Sequence, residues 1–170
     1  KTHKKLGNKE LSLEWFKKSS NYLTTYYGQL AFRELNPDAT FELSKDMEIK
    51  KEYRDYFFKK DIVKLVYLLD ELDEDKYSKH ILRFLAKDDI ESGSEILAAE
   101  LATQIERYDF AIQISKIASY EKRFHNKYNY PIISTPTKVG GRKIPESALI
   151  LSIIRQESEF DTSANSRVGA

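Results

Sequence analysis

Apolar side chains return every three or four positions along most of this chain, and that period confines it to helices packed on one another. Ile49, Tyr53, Tyr56 and Phe57 form one stripe, and Ile62, Leu65, Val66, Leu69 and Leu72 form the next. Tyr77, Ile81, Phe84 and Leu85 follow, then Leu97, Leu101, Ile105 and Tyr108, then Phe110, Ile114 and Ile117. Each set lines one side of a helix and leaves the charged residues on the other. No stretch sustains the every-second-residue alternation of a half-buried strand, so no substantial sheet is predicted. With 170 residues, 41% of them hydrophobic, the chain can bury a real core. The predicted fold class is all-α.

The breaks between stripes are short. Asn36-Pro37-Asp38 should end a helix, because proline has no N–H to donate and restricts the residue before it. Ser92, with Glu95 three residues later, reads as a capping box ahead of the helix containing Ile96. Asp61 and Asp109 read as N-caps. Links of this length make neighbouring helices antiparallel, which predicts stacked helical hairpins in a curved solenoid. Trp15, Ile49, Ile81 and Ile114 stand 34, 32 and 33 positions apart, a spacing suited to hairpin repeats, although no repeat consensus recurs with them. Gly28 inside a helical stretch costs up to ~1 kcal/mol against alanine. Close approach of a neighbouring helix is the predicted reason for it.

Near residue 129 the texture changes. Asn129-Tyr130-Pro131, Ser134-Thr135-Pro136 and Gly140-Gly141 make a connector without helical period, and Pro145 suits the first turn of a new helix. A boundary is placed here, with a helical scaffold over residues 1–129 and a second domain beginning within 130–170. Ala148 to Ile154 is apolar all round except for Ser152. A helix without a polar face should be surrounded by protein, so this one is expected at the centre of a domain. At its end come Arg155, Gln156, Glu157 and Ser158. Partial burial disfavours a charged carboxylate, and so does the negative end of a helix dipole. Glu157 is therefore expected to keep a proton near neutrality and to be able to act as a general acid.

Other chemistry is not indicated. Charged residues make up 32% of the chain but leave a net charge of +1, and lysines alternate with acids, so nothing points to nucleic acid. There is no cysteine, and His3, His80 and His125 lack paired-ligand spacing, so no metal site is expected. The cluster Asp70, Glu71, Asp73, Glu74 and Asp75 lacks the glycine and spacing of a calcium loop and reads as a solvated turn. No apolar run approaches the ~20 residues of a membrane span.

Ile154-Arg155-Gln156-Glu157-Ser158-Glu159-Phe160, followed by Ala164, Ser166, Gly169 and Ala170, resembles the start of the catalytic motif of soluble lytic transglycosylases. In that family an apolar helix leads to R-Q-E-S, an aromatic and a short S-x-x-G-A segment. Glu157 matches the catalytic acid/base, and Ser166 matches a serine implicated in assisting at the cleaved sugar. Pro145 and Tyr130-Pro131 match the helix opening and the entry to the catalytic domain. Separately, Tyr26-Tyr27-Gly28-Gln29-Leu30-Ala31 is similar to a Y-Y-G-Q-L-A helix of the family's superhelical domain.

The resemblance implies a periplasmic bacterial enzyme that cleaves the β-1,4 bond between N-acetylmuramic acid and N-acetylglucosamine. Its partners would be peptidoglycan glycan strands and other cell-wall enzymes, with no metal or organic cofactor. It also implies a superhelix leading into the first helices of a lysozyme-like domain. The family continues with a G-L-M-Q segment that is not in this sequence. The chain is accordingly expected to be truncated, and a polypeptide ending at Ala170 is expected not to turn over murein. Two other readings compete: a helical-repeat interaction module without chemistry, and a hydrolytic lysozyme that uses water as nucleophile.

Overall fold

A computed structural model describes residues 2–40, 45 and 47–166. Among them the chain is mostly helical, with one small hairpin, and no helix is long and apolar enough to cross a membrane. It divides into two compact units, Lys1–Ser44 and Lys45–Ala170. The connector near residue 129 lies inside the second unit.

The first unit contains α1 (Thr2–Lys5), α2 (Lys9–Ser19) and α3 (Tyr26–Leu35), with α2 packed on both α1 and α3. Thr25 caps α3: its Oγ1 accepts from the Gly28 N–H at 3.0 Å and donates to the Tyr22 carbonyl at 2.9 Å. A Cβ at Gly28 would lie 1.9 Å from that same carbonyl oxygen. The glycine is thus required by the turn entering its own helix, not by a neighbouring helix as predicted. The helix ends at Leu35, directly before Asn36-Pro37, where proline stops it.

The second unit contains α4 (Lys51–Lys59), α5 (Asp61–Glu71), α6 (Asp75–Ala86), α7 (Ser94–Gln104), α8 (Tyr108–Tyr120), α9 (Asn126–Asn129), β1 (Lys138–Val139), β2 (Arg142–Lys143) and α10 (Ser147–Glu157). From α4 to α9 each helix packs on the next, and α7 also touches α4 and α9. The centre of this unit is α7, in which eight of eleven residues are buried, including Leu97, Ala98, Ala99, Leu101 and Ala102. Its alanines let neighbours approach closely, and Phe57, Val63, Val66, Leu82, Leu85, Phe110, Ile114 and Tyr128 close around it. Burying a Val, Leu or Phe side chain in this way stabilises by about 1.5–3 kcal/mol each.

The predicted caps are corrected by the structure. Gly93, at φ +95°, is the N-cap of α7. Ser92 lies outside the helix with its N–H on Asp89, and Glu95 turns away to Arg123 and His125. Lys60 rather than Asp61 precedes α5, and Arg107 rather than Asp109 precedes α8. Both aspartates sit instead in the first helical turn, where the dipole still favours a negative charge. Asp109 is buried there and takes a bidentate pair from Arg107 at 2.9 and 3.0 Å.

Three helices end in the same way. Asp73, Glu106 and Lys122 follow α5, α7 and α8 in the left-handed region. The next N–H in each case reaches back five residues, Glu74 to Leu69, Arg107 to Ala102 and Arg123 to Ala118. These are Schellman ends formed without glycine. The hairpin β1–β2 was not predicted; Gly140 and Gly141, at φ +57° and +77°, supply the two-residue turn that joins it.

Candidate active site

α10 begins after Pro145, with Glu146 as its N-cap in extended backbone. Its apolar character does not place it at a domain centre. Leu151 alone is buried, Ile150 and Ile154 are half-buried, and Leu149 and Ile153 are each 53% exposed. The physical reason is that the described residues offer it one packing side only. On that side Tyr130, Pro131, Leu151, Ser152, Arg155 and Phe160 are among the residues lining a cleft of about 340 Å³.

The end of α10 is fastened by polar contacts. Arg155 donates through Nε to the Asn129 backbone carbonyl at 3.0 Å and through Nη2 to Asn129 Oδ1 at 2.8 Å. Its Nη1 reaches Glu159 Oε1 at 3.4 Å, and Lys116 Nζ on α8 donates to the same oxygen at 2.7 Å. Beyond the helix, Glu159 and Phe160 both adopt left-handed backbone, at φ +53° and +65°. The Phe160 ring packs against Tyr108, with centroids 6.2 Å apart. Ser163 donates to Asp161 through both its hydroxyl and its N–H, and these bonds hold the Asp161 carboxyl below the usual range.

Glu157 is the last residue of α10 and is exposed. The burial predicted for it is not present among the described residues, because the sides of α10 that would flank it are themselves uncovered. What remains of the expectation is its position at the carbonyl end of a helix. Its carboxylate has no hydrogen bond or ion pair among the described residues. Arg155, the obvious cation to pair with it, is committed to Asn129 and Glu159. Ser166 is exposed in the irregular segment after the helix, and Gly169 and Ala170 lie outside the described residues.

Sequence reasoning did not find Asn129 or Lys116 as parts of this site. Asn129 lies 26 positions from Arg155 and Lys116 lies 43 from Glu159, and no local motif encodes either pairing. Among the described residues no group of three or more His, Cys, Asp or Glu side chains is arranged to hold a metal ion.

A second polar cluster lies within the core. Glu95 and His125 are both buried; His125 Nε2 and Glu95 Oε2 stand 3.0 Å apart, and Arg123 grips the carboxylate with two bonds of 2.9 Å. Burial alone would push the Glu95 carboxyl up, but hydrogen bonds from Arg123 and His125 outweigh it and hold the group below its ordinary value. Because His125 precedes α9, this cluster ties α7 to the short helix that carries Asn129. No family model matches the chain, and neither a curated protein nor a solved structure does.

Proposed function

We propose that this chain is part of a soluble lytic transglycosylase, with Glu157 as the acid/base that opens murein glycan strands. The observation that carries the reading is the R-Q-E-S run at the end of α10, with the glutamate left unpaired by its arginine neighbour. An exposed carboxylate neutralised by Arg155 would be an ordinary surface group. One that is not so neutralised is available to exchange a proton with a bound sugar.

In this reading the protonated Glu157 gives its proton to the bridging oxygen as the bond from that oxygen to the muramyl C1 breaks. The resulting carboxylate then takes the proton of the C6 hydroxyl, whose oxygen bonds to C1 and closes a 1,6-anhydro ring. Glu157 ends protonated, as it began, and no water is consumed. The internal hydroxyl supplies by proximity what ordinary glycosidases obtain from water and a second carboxylate. Ser166 assists at the cleaved sugar, and the helices before residue 130 form a superhelical scaffold that contacts glycan strands or other wall enzymes in the periplasm. The reading requires Leu149 and Ile153 to be covered by protein packed on α10, which would also give Glu157 drier surroundings.

The test is the full-length protein with Glu157→Gln, digesting purified sacculi with product masses recorded. Turnover should fall by about 10²–10⁴-fold, the worth of a positioned proton donor, while the fold is retained. The parent product should be one water lighter than a reducing-end sugar; the heavier product would indicate a hydrolytic lysozyme instead. Undiminished anhydro-sugar release from the variant would refute the role of Glu157. A non-catalytic helical interaction module is the second reading, favoured by the exposed aromatics Tyr77 and Phe84 on α6. It is supported if neither parent nor variant cleaves murein.

A further inference from the structure

The turn after α10 combines two features, unusual backbone and restraint by other elements. Glu159 and Phe160, neither of them glycine, stand in succession in the left-handed backbone region that side chains avoid. Each is restrained from a different direction: Glu159 by Lys116 of α8 and by Arg155, Phe160 by the ring of Tyr108. Arg155 is in turn gripped twice by Asn129, a buried residue at the end of α9. Apolar packing holds α10 itself only lightly, because Leu151 is its one buried side chain. Glu157 lies midway between the two anchored residues, Arg155 and Glu159.

We infer that Asn129 and Lys116 are positioning residues, which through Arg155 and Glu159 hold the end of α10 so that the Glu157 carboxyl has a single approach to its substrate. The inference rests on the reading of Glu157 as the acid/base. Asn129 does two jobs in it: it sets the direction of the Arg155 guanidinium, and it keeps that cation from folding onto Glu157. Lys116 holds the strained turn closed from the far side. A reacting group displaced by about 1 Å loses about 10²-fold in rate, so such restraint matters to chemistry more than to stability.

The experiment compares Asn129→Leu, which removes the side-chain acceptor but keeps the branched shape, with Asn129→Asp, which keeps the acceptor, in the full-length protein. Amide exchange over residues 158–161, kcat and KM for anhydromuropeptide release from sacculi, and the melting temperature are measured together. Asn129→Leu should exchange this segment about ten-fold faster and lower kcat about ten-fold or more, with KM nearly unchanged. Asn129→Asp should bring both close to the parent values. Should Asn129→Leu fail to fold, Lys116→Met, at a partly exposed site, makes the same comparison. Parent-like exchange and kcat in a folded Asn129→Leu or Lys116→Met variant overturn the inference, as do equal losses of kcat in the Leu and Asp variants. Full turnover in Glu157→Gln instead removes the reading of Glu157 and with it the kinetic half of the inference, while the exchange rates still decide whether the anchoring exists.

Discussion

Replacing Gly93 by alanine tests the account of the second unit's core, because two separable costs fall on one methyl group. The first is conformational. Gly93 sits at φ +95°, farther from the ordinary left-handed well than most side chains reach, and this costs about 1–2 kcal/mol for alanine. The second is steric. The new Cβ would lie 2.6 Å from Ile49 Cδ1 and 3.2 Å from its Cγ1. The obstacle is the end of a partly buried side chain, so it can move at the expense of an off-rotamer torsion, about 0.5–1.5 kcal/mol. Together the loss should be about 2–3 kcal/mol, read as a lower urea midpoint in far-UV circular dichroism. Repeating Gly93→Ala in an Ile49→Ala background removes the steric part and leaves the conformational part, so the loss should shrink by about 1 kcal/mol. A loss below about 0.5 kcal/mol in the parent would refute the backbone argument. An identical loss in both backgrounds would refute the contact.

Three further outcomes follow from other parts of the chain. Gly28→Ala should destabilise the first unit by about 2 kcal/mol or more, since the obstacle is backbone and cannot rotate away. Trp15, the single tryptophan, reports on that unit by fluorescence, and its transition should move while the bulk of the helical signal does not. Glu95→Gln should cost about 2–3 kcal/mol at neutral pH, at the low end for a buried pair because Arg123 is partly exposed and can rehydrate. The Glu95 carboxyl is held below its unfolded value, so its stabilisation is complete above about pH 4.3 and lost as pH falls through the folded value; the gap between parent and variant melting temperatures should close on that acid side, and a constant gap would contradict the assignment.

The helical period was legible, and so were the stop at Asn36-Pro37 and the buried face of α7, where Leu97, Leu101 and Ile105 are all in the core. Which arc of α5 and α6 faces inward was not. Leu65, Leu72, Tyr77 and Phe84 were expected in the buried stripes and are exposed, while Val63 and Leu82, outside them, are fully buried. These helices carry apolar residues around more than half their circumference, so spacing alone leaves the rotation open. The interior place assigned to Ala148–Ile154 is taken by α7, whose alanines and Glu95 disguise a more thoroughly enclosed helix. At the site, the position of Glu157 at a helix end could be read from the chain. The diversion of Arg155 to Asn129 could not, because it depends on how α9 meets α10.

The central place of α7 has a consequence for how the protein is made. Val63, Val66, Leu82 and Leu85 on α5 and α6 belong to a cluster completed by residues 96–102, which leave the ribosome after them. Without that segment α4, α5 and α6 can pair with one another but leave this apolar surface uncovered. Closure of this core should therefore wait for the alanine-rich segment to dock. A chain lacking that segment should expose this apolar surface and be the form most prone to aggregate.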